Sequence, residues 1–352
     1  MQKKYLTNNR ILFFGLGSIG QRHLRLISNN YINPVFFAFN SNRKRVLLND
    51  NSEKINGDVI KKYKITLIKS LEDIKNYQIN IVFICNPSSL HSIIINKINR
   101  FNTHVFVEKP IATNLKQVNE LIKLSNNSKK NIYTGYQILF NDCFKWIVNF
   151  FNKNKINNIL NIKVINSEFY KNFKKYGKIV DSYSLKKTLG GGSLLTQIHE
   201  INYLIYLFGM PISVSCYGSK RGILDYGVED SISALIEFKH NRKIFPVFLE
   251  LSYLKKIPER QMIISDSSLT LKWDYYKNDI YIENINKGSR KTISFGELNR
   301  NEMFLNQLHF FFNTIEKKSS FRENFNHSVI STRVATILKK SLENKGEKVF
   351  LR

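Results

Sequence analysis

The chain predicts an α/β protein in two parts. Residues 1–135 form a Rossmann-type, doubly wound parallel sheet, and residues 136–352 form an α+β domain on an open, mostly antiparallel sheet. Short apolar runs alternate with amphipathic stretches in the first third, as strand–helix–strand units require. Beyond about residue 136, apolar and polar residues instead alternate one by one, the pattern of strands buried on one face. The size agrees: 352 residues, 43% hydrophobic with 26 Phe and 17 Tyr, supply two cores more comfortably than one.

The runs ILFFG (11–15), PVFFAF (34–39), ITLI (65–68), NIVFIC (80–85), HVFVE (104–108) and NIYTG (131–135) are almost continuously apolar. Strands covered by helices on both faces have this character. Between them, SIGQRHLRLISNN, SSLHSIIINKINR and NLKQVNELIKLSNN carry apolar residues at helical spacing, which implies right-handed βαβ crossovers. In the second part, ILNIKVI (159–165) sets Leu160, Ile162 and Val164 against Asn161 and Lys163, and SISALIEF (231–238) places Ile232, Ala234, Ile236 and Phe238 on one face. KIFPVFLELSY, RQMIISD, LTLKW and DIYIEN continue the sheet. Helices are expected at about 141–152, 194–208, 299–316 and 327–344, the last carrying Val329, Val334, Ile337, Leu338 and Leu342 along one stripe.

Composition narrows the classes. Six Pro and 16 Gly argue against a disordered chain. Cys85, Cys143 and Cys216 lie far apart with no C-x-x-C spacing, so neither a disulfide framework nor a metal site is expected, and a reducing, cytoplasmic location fits. The opening MQKK–ILFFGLGSIG is interrupted by three glycines and lacks a cleavage site, so it is not expected to be a signal peptide. No apolar run is long enough for a membrane helix. The net charge of +27 is spread through Asn- and Ile-rich sequence, with denser stretches at SNRKR (41–45) and KNFKKYGK (171–178). With no nucleic-acid module beside it, the charge predicts a generally basic surface rather than a nucleic-acid or membrane partner.

Gly15, Gly17 and Gly20 stand in G-x-G-x-x-G spacing between a predicted strand and a predicted helix. That context predicts a dinucleotide site over Gly15, Leu16, Gly17, Ser18, Ile19 and Gly20, with the pyrophosphate on the helix N-terminus. An NAD-binding chain usually carries Asp or Glu about 20 residues on, for the ribose 2′-hydroxyl. Here that place is Asn40, followed by Ser41, Asn42, Arg43, Lys44 and Arg45. A hydroxyl and several cations suit a 2′-phosphate, so NADP is favoured over NAD.

CNPSSLH (85–91), EKP (108–110) and LGGGSLLTQIHEINYLIYLFG (189–209), following the glycine loop in this order, resemble the Gfo/Idh/MocA oxidoreductases. The resemblance covers essentially the whole chain. It implies that Lys109 lies beside the nicotinamide and the reacting carbon, where it moves the proton of a substrate oxygen. Glu108 would orient Lys109 or contact the cofactor, and Pro110 would fix the exit of the chain. Asn86 and Pro87 would lie against the cofactor, His91 would contact it or cap its own helix, and Gln137 would reach the nicotinamide side. His199 becomes the second candidate for acid–base catalysis. The family usually carries D-x-G-x-H-x-x-D; TQIHEIN is one residue shorter, with Thr196 or Gln197 near the first Asp, Glu200 after the histidine and Asn202 at the last Asp. The Asp–His division of labour is therefore open. Leu139 and Asn141 also replace the Arg and His often found near those positions.

The segment FYKNFKKYGKIVDSYSLKKTLGGG is long, cationic and rich in tyrosine. Long loops within compact domains often serve function, which makes Tyr170, Tyr183 and Lys187 candidate substrate contacts beside Lys109 and His199. The expected activity is hydride transfer between a nicotinamide and a sugar or nucleotide-sugar derivative, with surface-glycan biosynthesis as a setting by analogy. Two alternatives stay open: a cofactor-binding sensor without turnover, and a redox-neutral, NAD-dependent glycosidase-type enzyme. A homo-oligomer, dimer or tetramer, is implied by the family.

Overall fold

A computed structural model describes residues 4–6, 9–39, 46–127, 132–154, 156, 158–173, 175–219 and 227–351. Among them, Arg10–Phe14 (β1), Val35–Phe39 (β2), Thr66–Ile68 (β3), Ile81–Ile84 (β4), His104–Glu108 (β5) and Ile132–Gly135 (β6) make a parallel sheet in the order β6-β5-β4-β1-β2-β3. The order reverses at β1, so the crevice outside the carboxyl ends of β1 and β4 is the natural ligand position. Helix Ser18–Asn30 (α1) covers one face, burying Leu24 and Ile27 with Phe13, Phe83 and Phe106. His91–Ile98 (α2) and Leu115–Asn127 (α3) cover the other, with Ile95, Ile98, Val118 and Leu121 against Leu12, Val82 and Val107. The apolar runs are continuous because both faces of each strand are inside.

The second sheet is mixed and mostly antiparallel. Its strands are Ile159–Ser167 (β7), Ser213–Ser219 (β8), Ser231–His240 (β9), Lys243–Ser252 (β10), Glu259–Asp266 (β11), Leu269–Asp274 (β12), Asp279–Asn284 (β13), Ser289–Ser294 (β14) and Val349–Phe350 (β15). They run in the order β14-β13-β12-β11-β7-β10-β9-β8-β15, with β7 and β10 parallel. Asp142–Asn154 (α4), His199–Phe208 (α5) and Arg322–Glu343 (α7) cover one face. Phe144, Leu204 and Leu338 pack there with Ile236, Val247, Leu271 and Trp273.

Three details depart from the sequence-based expectation. Leu160 is 53% exposed, because a bulge between Ile159 and Asn161 shifts the register against β11 and turns Ile159 inward instead. The polar-looking β8 and β14 give little alternation signal; β8 is nevertheless a strand because Val214 and Cys216 are fully buried on it. The helix expected over 194–208 is broken into Ser193–Thr196 and α5.

Arg300–Glu316 (α6) does not stay with the second sheet. Phe304, Leu308, Phe311, Phe312 and Ile315 join the core of the first sheet on the α1 side, and Phe325 and Val329 of α7 join the opposite side. Phe311 stands edge-on to Phe106 at 5.3 Å and stacks on Phe321 at 5.3 Å. Phe311→Ala is therefore expected to cost about 3–5 kcal/mol, read as a lowered urea midpoint. An unchanged midpoint would show that α6 is not part of this core.

Candidate active site

The loop after β1 is shaped by contacts that only glycine permits. Gly15 has φ +97°, and a Cβ there would stand 2.8 Å from the Asn86 nitrogen and the Cys85 carbonyl carbon. A Cβ on Gly20 would stand 2.1 Å from the Gly15 oxygen, so α1 lies directly on the loop it follows. Around Gly17, in contrast, no atom of the described residues beyond its own turn lies within 4 Å of the Cβ position. Gly17 caps α1 without a side-chain cap, and the first turn holds no acidic residue. Leu16 and Ile19 pack partly buried against the first-sheet core. The result, among the described residues, is open space in front of the first-turn backbone N–H groups at the positive end of a helix, which fits a pyrophosphate. The Asn86 Oδ1, buried in the same crevice, has no partner among the described residues. Gln21 fastens the turn to the neighbouring ribbon, donating to the carbonyls of Leu16 and Val46 at 3.0 and 2.8 Å and accepting from the Leu48 N–H at 2.9 Å. Asn40, Ser41 and Arg43 lie outside the described residues.

The two motif loops of the first domain are tied together by His91. Its ring is 1% exposed, with Nδ1 2.7 Å from the Pro110 oxygen and Nε2 2.9 Å from the Asn86 oxygen. Pro87 caps the 3₁₀ turn that leads into it, and the Lys109–Pro110 peptide is cis. His91 thus engages backbone rather than facing the cleft. Glu108 turns inward to the ring of His23 on α1, Oε1 to Nε2 2.7 Å, a pair enclosed by Phe83, Phe106 and Phe304. Lys109 is left facing the second domain, where its Nζ donates to the Thr196 carbonyl. Burial pushes the Lys109 ammonium down to about 8, against the opposing pull of Glu108 and Glu200. A lysine so placed titrates near neutrality, where proton exchange is effective.

His199 heads α5 and is 5% exposed. Its Nε2 lies 3.2 Å from the Gln137 amide nitrogen, and its Nδ1 has no partner among the described residues. Burial, then Lys109, Arg260 and Arg300, hold the imidazole well below its usual range, so it is neutral at physiological pH. The segment before it is anchored by Glu229, whose carbonyl accepts from the Ser193 N–H at 3.0 Å and whose carboxylate accepts from the Leu194 N–H at 3.2 Å. Thr196 also bonds the hydroxyl of Tyr253. Gln197 donates to the carbonyls of Asn166 and Ser252 at 3.1 and 3.3 Å, and Asn202 to Ser331 at 3.0 Å.

The remaining candidates divide. Lys109, His199 and Gln137 converge at the carboxyl end of the first sheet. Tyr183, 37% exposed, and the exposed Lys187 sit on the loop that leads to this point. Tyr170 is 7% exposed and packs with Leu185 and Tyr253 in a small satellite core, anchoring that loop. Asn141 starts α4, accepting from the Phe144 N–H at 3.2 Å. Sequence reading missed His23, Tyr253 and Arg260, and the pairing of Arg260 with Glu200. Of these three, Arg260 carried a signal, since it shares the inward face of its strand with Met262 and Ile264.

A parallel sheet carrying a dinucleotide-type glycine turn, a second mixed sheet, and a half-buried lysine near a buried histidine define the class as a Rossmann-type α/β protein. Residues 9–136 match the model of an oxidoreductase family with an NAD-binding Rossmann fold, and residues 158–253 match the Gfo/Idh/MocA C-terminal domain. The chain belongs to the Gfo/Idh/MocA family. It is 29% identical over 139 residues to myo-inositol 2-dehydrogenase of Thermotoga maritima, covering 39% of this chain and 38% of that protein. It is 25% identical over 237 residues to an uncharacterized oxidoreductase of Streptococcus pneumoniae, covering 64% of this chain and 60% of that one. The chain thus spans less than two thirds of the length of either curated relative. Its fold superimposes on the inositol dehydrogenase homolog complexed with NAD+ from Azotobacter vinelandii with a TM-score of 0.79 and 11% identity, over 99% of both chains. Among the described residues, no helix is long and apolar enough to cross a membrane and no cluster of three or more His, Cys, Asp or Glu side chains is placed to hold a metal. The three cysteines are free and buried.

Proposed function

We propose that the protein is an NAD(P)-dependent dehydrogenase or reductase acting on a CH–OH group of a sugar or nucleotide-sugar derivative. The observation that carries this reading is Lys109: titrating near 8, fixed by Thr196, and set beside His199 at the crevice that the glycine turn opens. The dinucleotide, when bound, supplies the hydride acceptor or donor. Gly15 to Gly20 and the N–H groups of α1 would hold its pyrophosphate, and Asn86 and Pro87 would contact it. Ser41 and Arg43 would take a 2′-phosphate, which favours NADP.

In the oxidative direction neutral Lys109 accepts the proton of the substrate hydroxyl as hydride leaves the adjacent carbon. In reduction the ammonium returns it to the new alkoxide. His199, neutral and accepting from the Gln137 amide at Nε2, donates from Nδ1 to a second hydroxyl and orients the ring. Glu108, held by His23, keeps Lys109 directed at the cleft. Tyr183 and Lys187 receive the distal part of the substrate, while Tyr170 supports their loop. The first domain, 1–135, is the cofactor half and 136–352 the substrate and oligomerisation half, working as a dimer or tetramer in the cytoplasm.

The test is nicotinamide absorbance with NAD⁺ and NADP⁺ across a panel of sugars and nucleotide sugars. Turnover is expected with one class, faster with NADP⁺. Oxidative kcat/KM should rise through about pH 8, as deprotonated Lys109 accumulates, and reductive kcat/KM should fall through the same value. Oxidation that stays flat through this range would remove Lys109 from the proton step.

A further inference from the structure

Lys109 is held from the second domain by a backbone oxygen, so whatever fixes that oxygen fixes the lysine. The oxygen is the last carbonyl of the turn Ser193–Thr196. Glu229 ties the start of this turn through the Ser193 and Leu194 N–H groups, and Gln197 ties the residue that follows it. Thr196 itself is partly open to the cleft, and its hydroxyl has two partners. It donates to the Gly192 carbonyl at 2.8 Å and bonds the hydroxyl of Tyr253. With the Thr196 proton committed to Gly192, the Tyr253 O–H is the donor in the second bond.

Tyr253 is itself immobilised. It follows β10, is 1% exposed, and stands edge-on to Phe173 at 4.8 Å within the small core that it shares with Tyr170 and Leu185. Its N–H donates to the Asp230 carbonyl at 2.7 Å, and its carbonyl accepts from the Tyr170 N–H at 2.8 Å. Phenylalanine would fill this place equally well, so the hydroxyl needs a separate reason. Buried, it costs free energy unless it is bonded. Its bond goes to the residue that holds Lys109.

We propose that Tyr253 is a positioning residue for Lys109: its hydroxyl fixes Thr196, so that the Thr196 carbonyl offers the ammonium one acceptor in one place. The role bears on catalysis because the function proposed above gives Lys109 the proton step, and a reactive group is only as well placed as the residues supporting it. Lys109 is also acted on by Glu108 from its own strand, by His199 and Glu200 from α5, by Arg260 from β11 and by Glu168 just after β7. All of these remain in the variants that test the role.

The experiment reads Lys109 in the full chain, by pH-dependent competitive acetylation followed by mass spectrometry, with neither cofactor nor substrate. Tyr253→Phe deletes one oxygen and keeps the ring. It is expected to lower the Lys109 titration midpoint by about half a unit, because the ammonium form loses part of a hydrogen bond. Thr196→Val removes the same bond from its other end, together with the one to Gly192, and should lower the midpoint at least as far. The Tyr253→Phe/Thr196→Val double variant should go no further than Thr196→Val alone, since a shared bond is lost once. Thr196→Ser keeps the hydroxyl and should restore the parent midpoint. The Thr196→Val arm also stands where Tyr253→Phe does not fold. A midpoint that stays fixed in Tyr253→Phe, with only the melting temperature lowered, would overturn the proposal and leave the tyrosine as packing, and so would a double variant whose shift is the sum of the two singles. Shifts in this pattern beside full turnover by Lys109→Met would uphold the role of Tyr253 and take the proton step away from Lys109 instead.

Discussion

Lys109→Met is expected to lower kcat on the order of 10²- to 10⁴-fold, the usual worth of a positioned acid–base group. Cofactor affinity and melting temperature should hardly move. The flexible methionine fits the lysine's channel, and the lost hydrogen bond ends on Thr196, a carbonyl at the partly open cleft. Binding and stability measured alongside kcat separate this outcome from general damage. A variant that retains wild-type turnover would sink the assignment. Equal loss of cofactor binding would instead move Lys109 from the chemistry to the cofactor.

The second large effect separates two glycines of the same turn. Gly20→Ala places a Cβ 2.1 Å from the Gly15 oxygen, so loop and helix must part. A loss of about 1–3 kcal/mol in stability is expected, as for other overpacked sites, with weakened cofactor binding as a consequence. Gly17→Ala meets no atom of the described residues within 4 Å, so the free protein should keep its melting temperature. Cofactor binding should nevertheless weaken by about 2–3 kcal/mol, the worth of one hydrogen bond to a charged group, if Gly17 receives the pyrophosphate as proposed. Titration calorimetry and thermal melting decide the matter. A Gly17→Ala protein that binds NADP⁺ as well as the parent would place the phosphates elsewhere.

The first sheet was legible because burial on both faces writes itself as unbroken apolar runs such as NIVFIC, three of them ended by a motif. The second was legible where one face is wet, as at Ile232, Ala234, Ile236 and Phe238, all inside. Leu160 misled because a bulge reverses the alternation, and a bulge leaves no mark in residue type. Lys109 and His199 were visible through their motifs. Their partners were not, since Glu108–His23 and Glu200–Arg260 join residues 85 and 60 positions apart, and a pairing of that range is decided by topology. Nor did helical spacing in α6 say which sheet it would cover. Only the geometry gave that helix to the first.

That return of α6 and α7 bears on how the protein is made. The aromatic core beneath the glycine turn is complete only with Phe304, Phe311 and Phe321, and the opposite side only with Phe325 and Val329. A chain emerging from the ribosome therefore carries its nucleotide-binding half unfinished until most of its length has been synthesised, with Phe83, Phe106 and Tyr133 still uncovered on one side. Nascent chains halted short of α6 should need chaperone cover, and cofactor capture becomes one of the last events of biogenesis although its glycine turn is among the first residues translated.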